Sequence, residues 1–311
     1  MQRPVKPPAL VPGSQIAVVS PASPAEQAPL EQGLRELARL GYRVRRGPNT
    51  LTPEGYFAGS TEQRLAEFEA ALADQESRAV FCVRGGYGSN YLLERLNTLA
   101  ARPKVVLGYS DITSLQIFLW QKLAWVTFYG PMVAAGFDAN ASVAAGYDAD
   151  SFLRAMTETR TGWPVRLQGE SLFRGEAEGV LLGGCLTLVE ATLGTSWELD
   201  TAGSILLLED RGMRPYQVDR ALMHLKHAGK LKGVRGIVLG EFPECEPPVP
   251  SGPTVRDVAR RLLGELNVPV VWGAAIGHTP RPMRTVPLGV RARLRALGDP
   301  QLDILEPAVT A

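Results

Sequence analysis

The sequence predicts an α/β protein of two domains: an N-terminal parallel-sheet domain of flavodoxin/Rossmann-like kind, and a C-terminal mixed α/β domain with antiparallel strands. Three observations predict it. Short apolar runs alternate with amphipathic helical patterns through the first part of the chain, which is how a parallel sheet covered by helices reads. The second part mixes such units with short strand-like segments such as VRARLRAL and QLDILEP. At 311 residues the chain is long enough for two ordinary domains.

In order, Ile16 to Val19 reads as a strand, and the following helix carries Leu30, Leu34, Leu37 and Leu40 on one face before Gly41 ends it. YRVRRGP is a second strand. TEQRLAEFEAALAD is a second helix, with Leu65, Phe68 and Leu72 inward, Thr61 as its expected cap and Glu62 in its first turn. RAVFCVRGGYGS is a third strand ending in glycines, SNYLLERLNTLAA a helix, and PKVVLGYS a fourth strand. Residues 1–140 are expected to form the first domain. At its end DANASVAAGYDADS is small and polar, and WPVRLQGESLFRGEAEG is short, glycine-rich and strand-like, which marks 141–174 as a linker and 175–311 as the second domain. That domain reads as EGVLLGGCLTLVEATLG, strand SILLLEDRG, helix DRALMHLKHAG, strand GIVLGEF, helix VRDVARRLLGEL and strand VPVVWGAAIGH.

Bulk composition excludes several function classes. Lys+Arg is 33 against Asp+Glu 32, a net charge of +1, which argues against nucleic acid as a partner. Cys82, Cys185 and Cys245 are odd in number and far apart, with neither a disulfide framework nor zinc spacing. The apolar stretch near Phe118–Phe137 is interrupted by Gln121, Lys122, Gly130 and Pro131, so no membrane span is expected. The proline-rich N-terminus does not read as a secretory signal, and a cytoplasmic location is expected.

Three features sit where strands end, the usual place for ligands in such sheets. Ser110 follows the strand VVLG in Gly108-Tyr109-Ser110-Asp111-Ile112, which resembles a nucleophile elbow without its last glycine. From this motif alone a helix cap is the first reading and a nucleophile the second. Arg84-Gly85-Gly86-Tyr87-Gly88-Ser89 is a tight turn or a set of backbone donors for an anion; it fits neither a P-loop nor a dinucleotide fingerprint. His278 lies in a loop after an apolar strand, whereas His224 and His227 read as surface residues of a helix. Glu209 and Asp210 end the strand SILLL, and Glu209, the first polar residue there, is favoured as a partner for a histidine.

Six segments in order, FCVRGGYGSNYLLERL, VVLGYSDITSLQ, GVLLGGCLTLVEATLGT, ILLLEDRGMRPYQVDRAL, GIVLGEF and GAAIGHTPRPMRTVPLG, resemble the LD-carboxypeptidases, the S66 serine peptidases. The resemblance covers Ile16 to Gly289. It implies Ser110 as nucleophile, Glu209 as acid and His278 as base, with the backbone amides of Gly86 and Asp111 as oxyanion hole. Arg84, Gly85 and Tyr87 become substrate-binding candidates, Arg84 on its charge alone. It further implies a homodimer, no cofactor and no metal, and a muropeptide substrate from which terminal D-alanine is released. Many relatives carry asparagine where this chain has Cys185. Two rival expectations are a microcin C-type self-immunity peptidase of the same family and a non-catalytic peptide- or sugar-binding module.

Overall fold

In the computed structural model, which describes residues 3–311, the first half of the chain winds a parallel sheet. Its elements run β1 (Gln15–Val19), α1 (Gln27–Arg39), β2 (Arg43–Arg46), a small hairpin of β3 (Pro53–Glu54) and β4 (Phe57–Ala58), α2 (Thr61–Ala73), β5 (Ser77–Cys82), α3 (Asn90–Leu93), β6 (Val105–Gly108), α4 (Thr113–Leu123) and β7 (Thr127–Tyr129). The second half adds α5 (Ala149–Thr157), β8 (Trp163–Arg166), β9 (Glu170–Phe173), β10 (Gly175–Cys185), α6 (Leu186–Glu190), β11 (Ser204–Glu209), α7 (Pro215–His227), β12 (Gly236–Gly240), α8 (Val255–Leu263), β13 (Val270–Ala274), β14 (Val286–Leu288), β15 (Arg291–Ala296) and β16 (Gln301–Ile304).

The first sheet has the order β14-β7-β6-β5-β1-β2, with β2, β1, β5, β6 and β7 mutually parallel. Covered on both faces, its central strands are apolar throughout: Ile16, Val18, Val80, Phe81, Val106 and Leu107 are fully buried. Chain order reverses direction at β1 and β5, and a crevice opens beyond the strand ends at such a point. Helix α1 packs so closely there that a methyl on Gly33 would lie 1.8 Å from the Val133 carbonyl oxygen. The second sheet has the order β8-β16-β15-β10-β11-β12-β13-β9. Strands β10 to β13 are parallel, and antiparallel strands flank them on both sides. Helix α7 lays Val218, Ala221, Leu222 and Leu225 into this half's core, each such buried side chain contributing roughly 1.5–3 kcal/mol for the larger aliphatics.

Four expectations are corrected. The segment 141–174 is no bare linker: it holds α5, and its strands β8 and β9 form the two edges of the second sheet. The second domain is not self-contained over 175–311, because β14 pairs antiparallel with β7 and so belongs to the first sheet. The helix expected over 89–101 is the single turn α3. Ser60, not Thr61, caps α2, in a box with Gln63 that satisfies two backbone donors at once.

Candidate active site

Ser110 sits on a strained turn. Strand β6 ends at Gly108, Tyr109 is extended, and Ser110 enters the left-handed region at φ +62° before a short 3₁₀ turn, Ser110–Ile112, leads into α4. A non-glycine residue in that region costs about 1–3 kcal/mol and persists only where its surroundings enforce it. Here Gln116 donates to the carbonyls of Gly108 (3.0 Å) and Phe128 (2.7 Å), tying the strand ends to α4. The Ser110 amide donates to the Tyr129 hydroxyl at 3.3 Å. The Ser110 side chain caps neither the turn nor α4, so the cap reading falls.

The glycine-rich loop is stitched to the same turn. The buried Asp111 carboxylate accepts from the Ser89 amide at 2.8 Å, and the Ser89 hydroxyl donates to the Asp111 carbonyl at 2.6 Å. Burial raises the Asp111 pKa, and the hydrogen bonds and nearby Arg64 offset only part of that. Arg64 is itself fully buried and donates to the carbonyls of Pro21 and Gly88, both at 2.7 Å. Gly85 lies against the serine: a methyl there would be 2.9 Å from Ser110 Cβ and 3.2 Å from the Asp111 amide nitrogen. Gly86 has φ +98° and no room for a side chain, because Ser23 Oγ would be 2.3 Å away.

Across the cleft, Glu209 ends β11 with no solvent exposure and accepts three hydrogen bonds. Its Oε2 takes the His278 ring at Nδ1 (2.7 Å) and the His278 backbone amide (2.8 Å). Its Oε1 takes the Tyr129 hydroxyl at 2.6 Å. Tyr129 therefore links the serine's backbone to the glutamate, a role nothing in its sequence neighbourhood marks. Glycines make the space: methyl groups on Gly277 or Gly240 would lie 2.3 Å from Glu209 Cδ or 2.7 Å from its Cβ. Burial depresses the His278 pKa, but the Glu209 charge and hydrogen bond outweigh it and hold the imidazole above its ordinary value. The Nδ1 contact places the proton there and leaves Nε2 as the acceptor. Asp210 turns away, accepting from the Thr187 amide at 2.8 Å and hydroxyl at 2.7 Å.

Ser110, His278, Arg84, Gly85 and Gly86 line one cleft of about 280 Å³, walled also by Glu26, Pro29, Tyr109, Met132 and Arg211. Among the described residues no hydrogen bond joins Ser110 Oγ to the imidazole, a contact that commonly tightens only with substrate. Tyr87 does not line the cleft; it stacks on Phe57 with ring centroids 5.7 Å apart. Cys185 is buried, its amide accepted by Thr113 Oγ1 at 3.0 Å. His224 pairs on the surface with Glu190 at 2.9 Å. A larger cavity of about 550 Å³ lies between α2 and β2 and holds none of the residues singled out above, so volume alone does not choose the site. Arg211 and Glu26 escaped the sequence reading. Arg211 directly follows the acid pair, the one local signal available.

A serine at a strained strand-to-helix turn, sharing a cleft with a carboxylate-held histidine, defines this two-domain α/β protein as a serine-type carboxypeptidase once its relatives are considered. Residues 16–130 match the LD-carboxypeptidase N-terminal domain and residues 178–294 the LD-carboxypeptidase C-terminal domain, so the chain belongs to the LD-carboxypeptidase family S66. It is 35% identical to a Bacillus subtilis protein described as a probable murein peptide carboxypeptidase, over 93% of this chain and 91% of that one. The muramoyltetrapeptide carboxypeptidase of Oxalobacter formigenes superposes with a TM-score of 0.83 at 29% identity, covering 96% of this chain and 100% of that one. The microcin C7 self immunity protein MccF superposes with a TM-score of 0.89 at 25% identity, covering 99% and 100%. No helix among the described residues is long and apolar enough to cross a membrane.

Proposed function

We propose that the protein hydrolyses the L,D-peptide bond that releases terminal D-alanine from murein tetrapeptides, through an acyl-enzyme on Ser110. The observation that carries this reading is the placing of Ser110 and the Glu209-held His278 on one cleft. In it, His278 Nε2 takes the hydroxyl proton as Ser110 Oγ attacks the penultimate carbonyl, and Glu209 holds the imidazolium that forms. The amides of Gly86 and Asp111 receive the developing oxyanion, and Arg84 takes the carboxylate of the leaving residue. The proton passes from His278 to the departing amine. Water, activated by the same imidazole, then frees Ser110. Protein groups carry every step, and the working form is a cytoplasmic homodimer.

The test is mass spectrometry of products from a muramyl tetrapeptide: loss of one D-alanine is expected, and an unprocessed peptide overturns the reading. The overall likeness to MccF favours a second reading, cleavage of a peptide–nucleotide antibiotic, so an aminoacyl sulfamoyl adenylate is the parallel substrate.

The pH dependence follows from His278. A base must be neutral, and its pKa is raised, so the acidic limb of kcat/KM lies above the ordinary imidazole value of about 6.5. The raised pKa has the opposite sign for stability: its contribution is full below the unfolded pKa and lost as pH rises through the folded one. Through mild acid, activity is expected to fall while the His278–Glu209 pair remains stabilising. A limb below pH ~6 would contradict the assigned base.

A further inference from the structure

The cleft around Ser110 is walled by four groups that can carry charge: Glu26, Arg84, Arg211 and His278. Two are already matched. Arg211 pairs with Glu244, and His278 pairs with Glu209. Among the described residues, Arg84 and Glu26 have no ion-pair partner, and both are exposed. One uncommitted cation and one uncommitted anion thus face the same space. A ligand of matching charge brings both a carboxylate and an ammonium group.

Their positions divide the two roles. Arg84 is the neighbour of Gly85, which packs against Ser110 itself. One residue spans about 3.8 Å between Cα atoms, so Arg84 is suited to the carboxylate one residue beyond the attacked carbonyl. Glu26 stands on another wall, as the residue preceding α1, between Ala25 and Pro29 of the same cleft. Its side chain caps nothing in the helix, which leaves the carboxylate free for a ligand. A substrate acylating Ser110 occupies this same cleft, so its side chain can meet that wall.

The geometry points to Glu26 as the residue that reads a free amine on the side chain of the substrate's acyl-donating residue, paired with Arg84 on the leaving residue's carboxylate. This rests on the carboxypeptidase reading above and narrows it to substrates whose penultimate diamino acid keeps its distal amine unblocked. The bond is charge-assisted on both partners, and it is made equally in ground and transition states. Its loss therefore falls on KM more than on kcat.

The experiment compares two tetrapeptides ending in D-alanine, one with lysine before it and one with Nε-acetyl-lysine, on the wild type and on Glu26→Gln. The wild type is expected to favour the free amine in kcat/KM by about tenfold or more. In Glu26→Gln that ratio should collapse to near one, through KM. A general structural role for Glu26 would lower both rates and leave the ratio standing. An active wild type without the preference, or a ratio unchanged in Glu26→Gln, overturns this inference alone. A wild type that cleaves neither peptide overturns the carboxypeptidase reading and this inference with it.

Discussion

Ser110→Ala is expected to leave the protein folded and to lower D-alanine release about 10⁴-fold or more, the scale on which removing a triad nucleophile acts. The side chain makes no cap, and alanine carries the same Cβ into the same left-handed turn at φ +62°. The melting temperature should barely move. Ser110→Gly gives a sharper control, because glycine adopts that conformation without penalty. It should be equally inactive yet melt no lower than the wild type. Turnover within tenfold of wild type in either variant would sink Ser110 as the nucleophile, and a large loss of stability in the alanine variant would overturn the account of the turn.

Glu209→Gln has the second largest expected effect. The carboxylate accepts at both oxygens, from Tyr129 on one side and from two His278 N–H groups on the other. Glutamine has the same shape but only one acceptor. With its oxygen toward Tyr129, its amide meets the His278 backbone donor and forces Nδ1 to accept. The ring proton then moves to Nε2, where it cannot take a proton from Ser110. A wrong tautomer of this kind lowers kcat about 10⁴-fold. The unpaired buried donor also destabilises the fold by about 1–3 kcal/mol. Both effects are measurable, by kcat on the tetrapeptide and by denaturant midpoint. Activity within tenfold of wild type would show that Glu209 does not set the tautomer.

Much of the site was legible because its residues terminate apolar strands. VVLGYS and SILLLED each announce the first polar side chain beyond a buried run, and His278 follows AAIG in the same way. What sequence could not decide depended on distant partners. Whether Ser110 caps a helix hinges on a left-handed turn held by Gln116 and Tyr129, and Tyr129 lies inside an apolar stretch with nothing to mark it. The segment 141–174 opens small and polar and reads as a linker, yet β8 pairs with residues 301–304 and β9 with residues 270–272. Such long-range pairing leaves no local pattern. Glu26 and Arg211 matter only because separate loops converge on one cleft.

The strand β14 bears on how the enzyme comes into being. It supplies the outer edge of the first sheet from residues 286–288, pairing with β7 just beyond the Ser110 turn. Thr310 likewise hydrogen-bonds back to Ala9 and Pro7. On the ribosome, the domain that carries Ser110 emerges first but stays one strand short, and His278 has not yet been made. Only a chain synthesised past residue 288 closes the sheet and brings His278 to the cleft together. The cleft that holds both side chains is thus withheld from the nascent chain by its own topology until synthesis has passed β14.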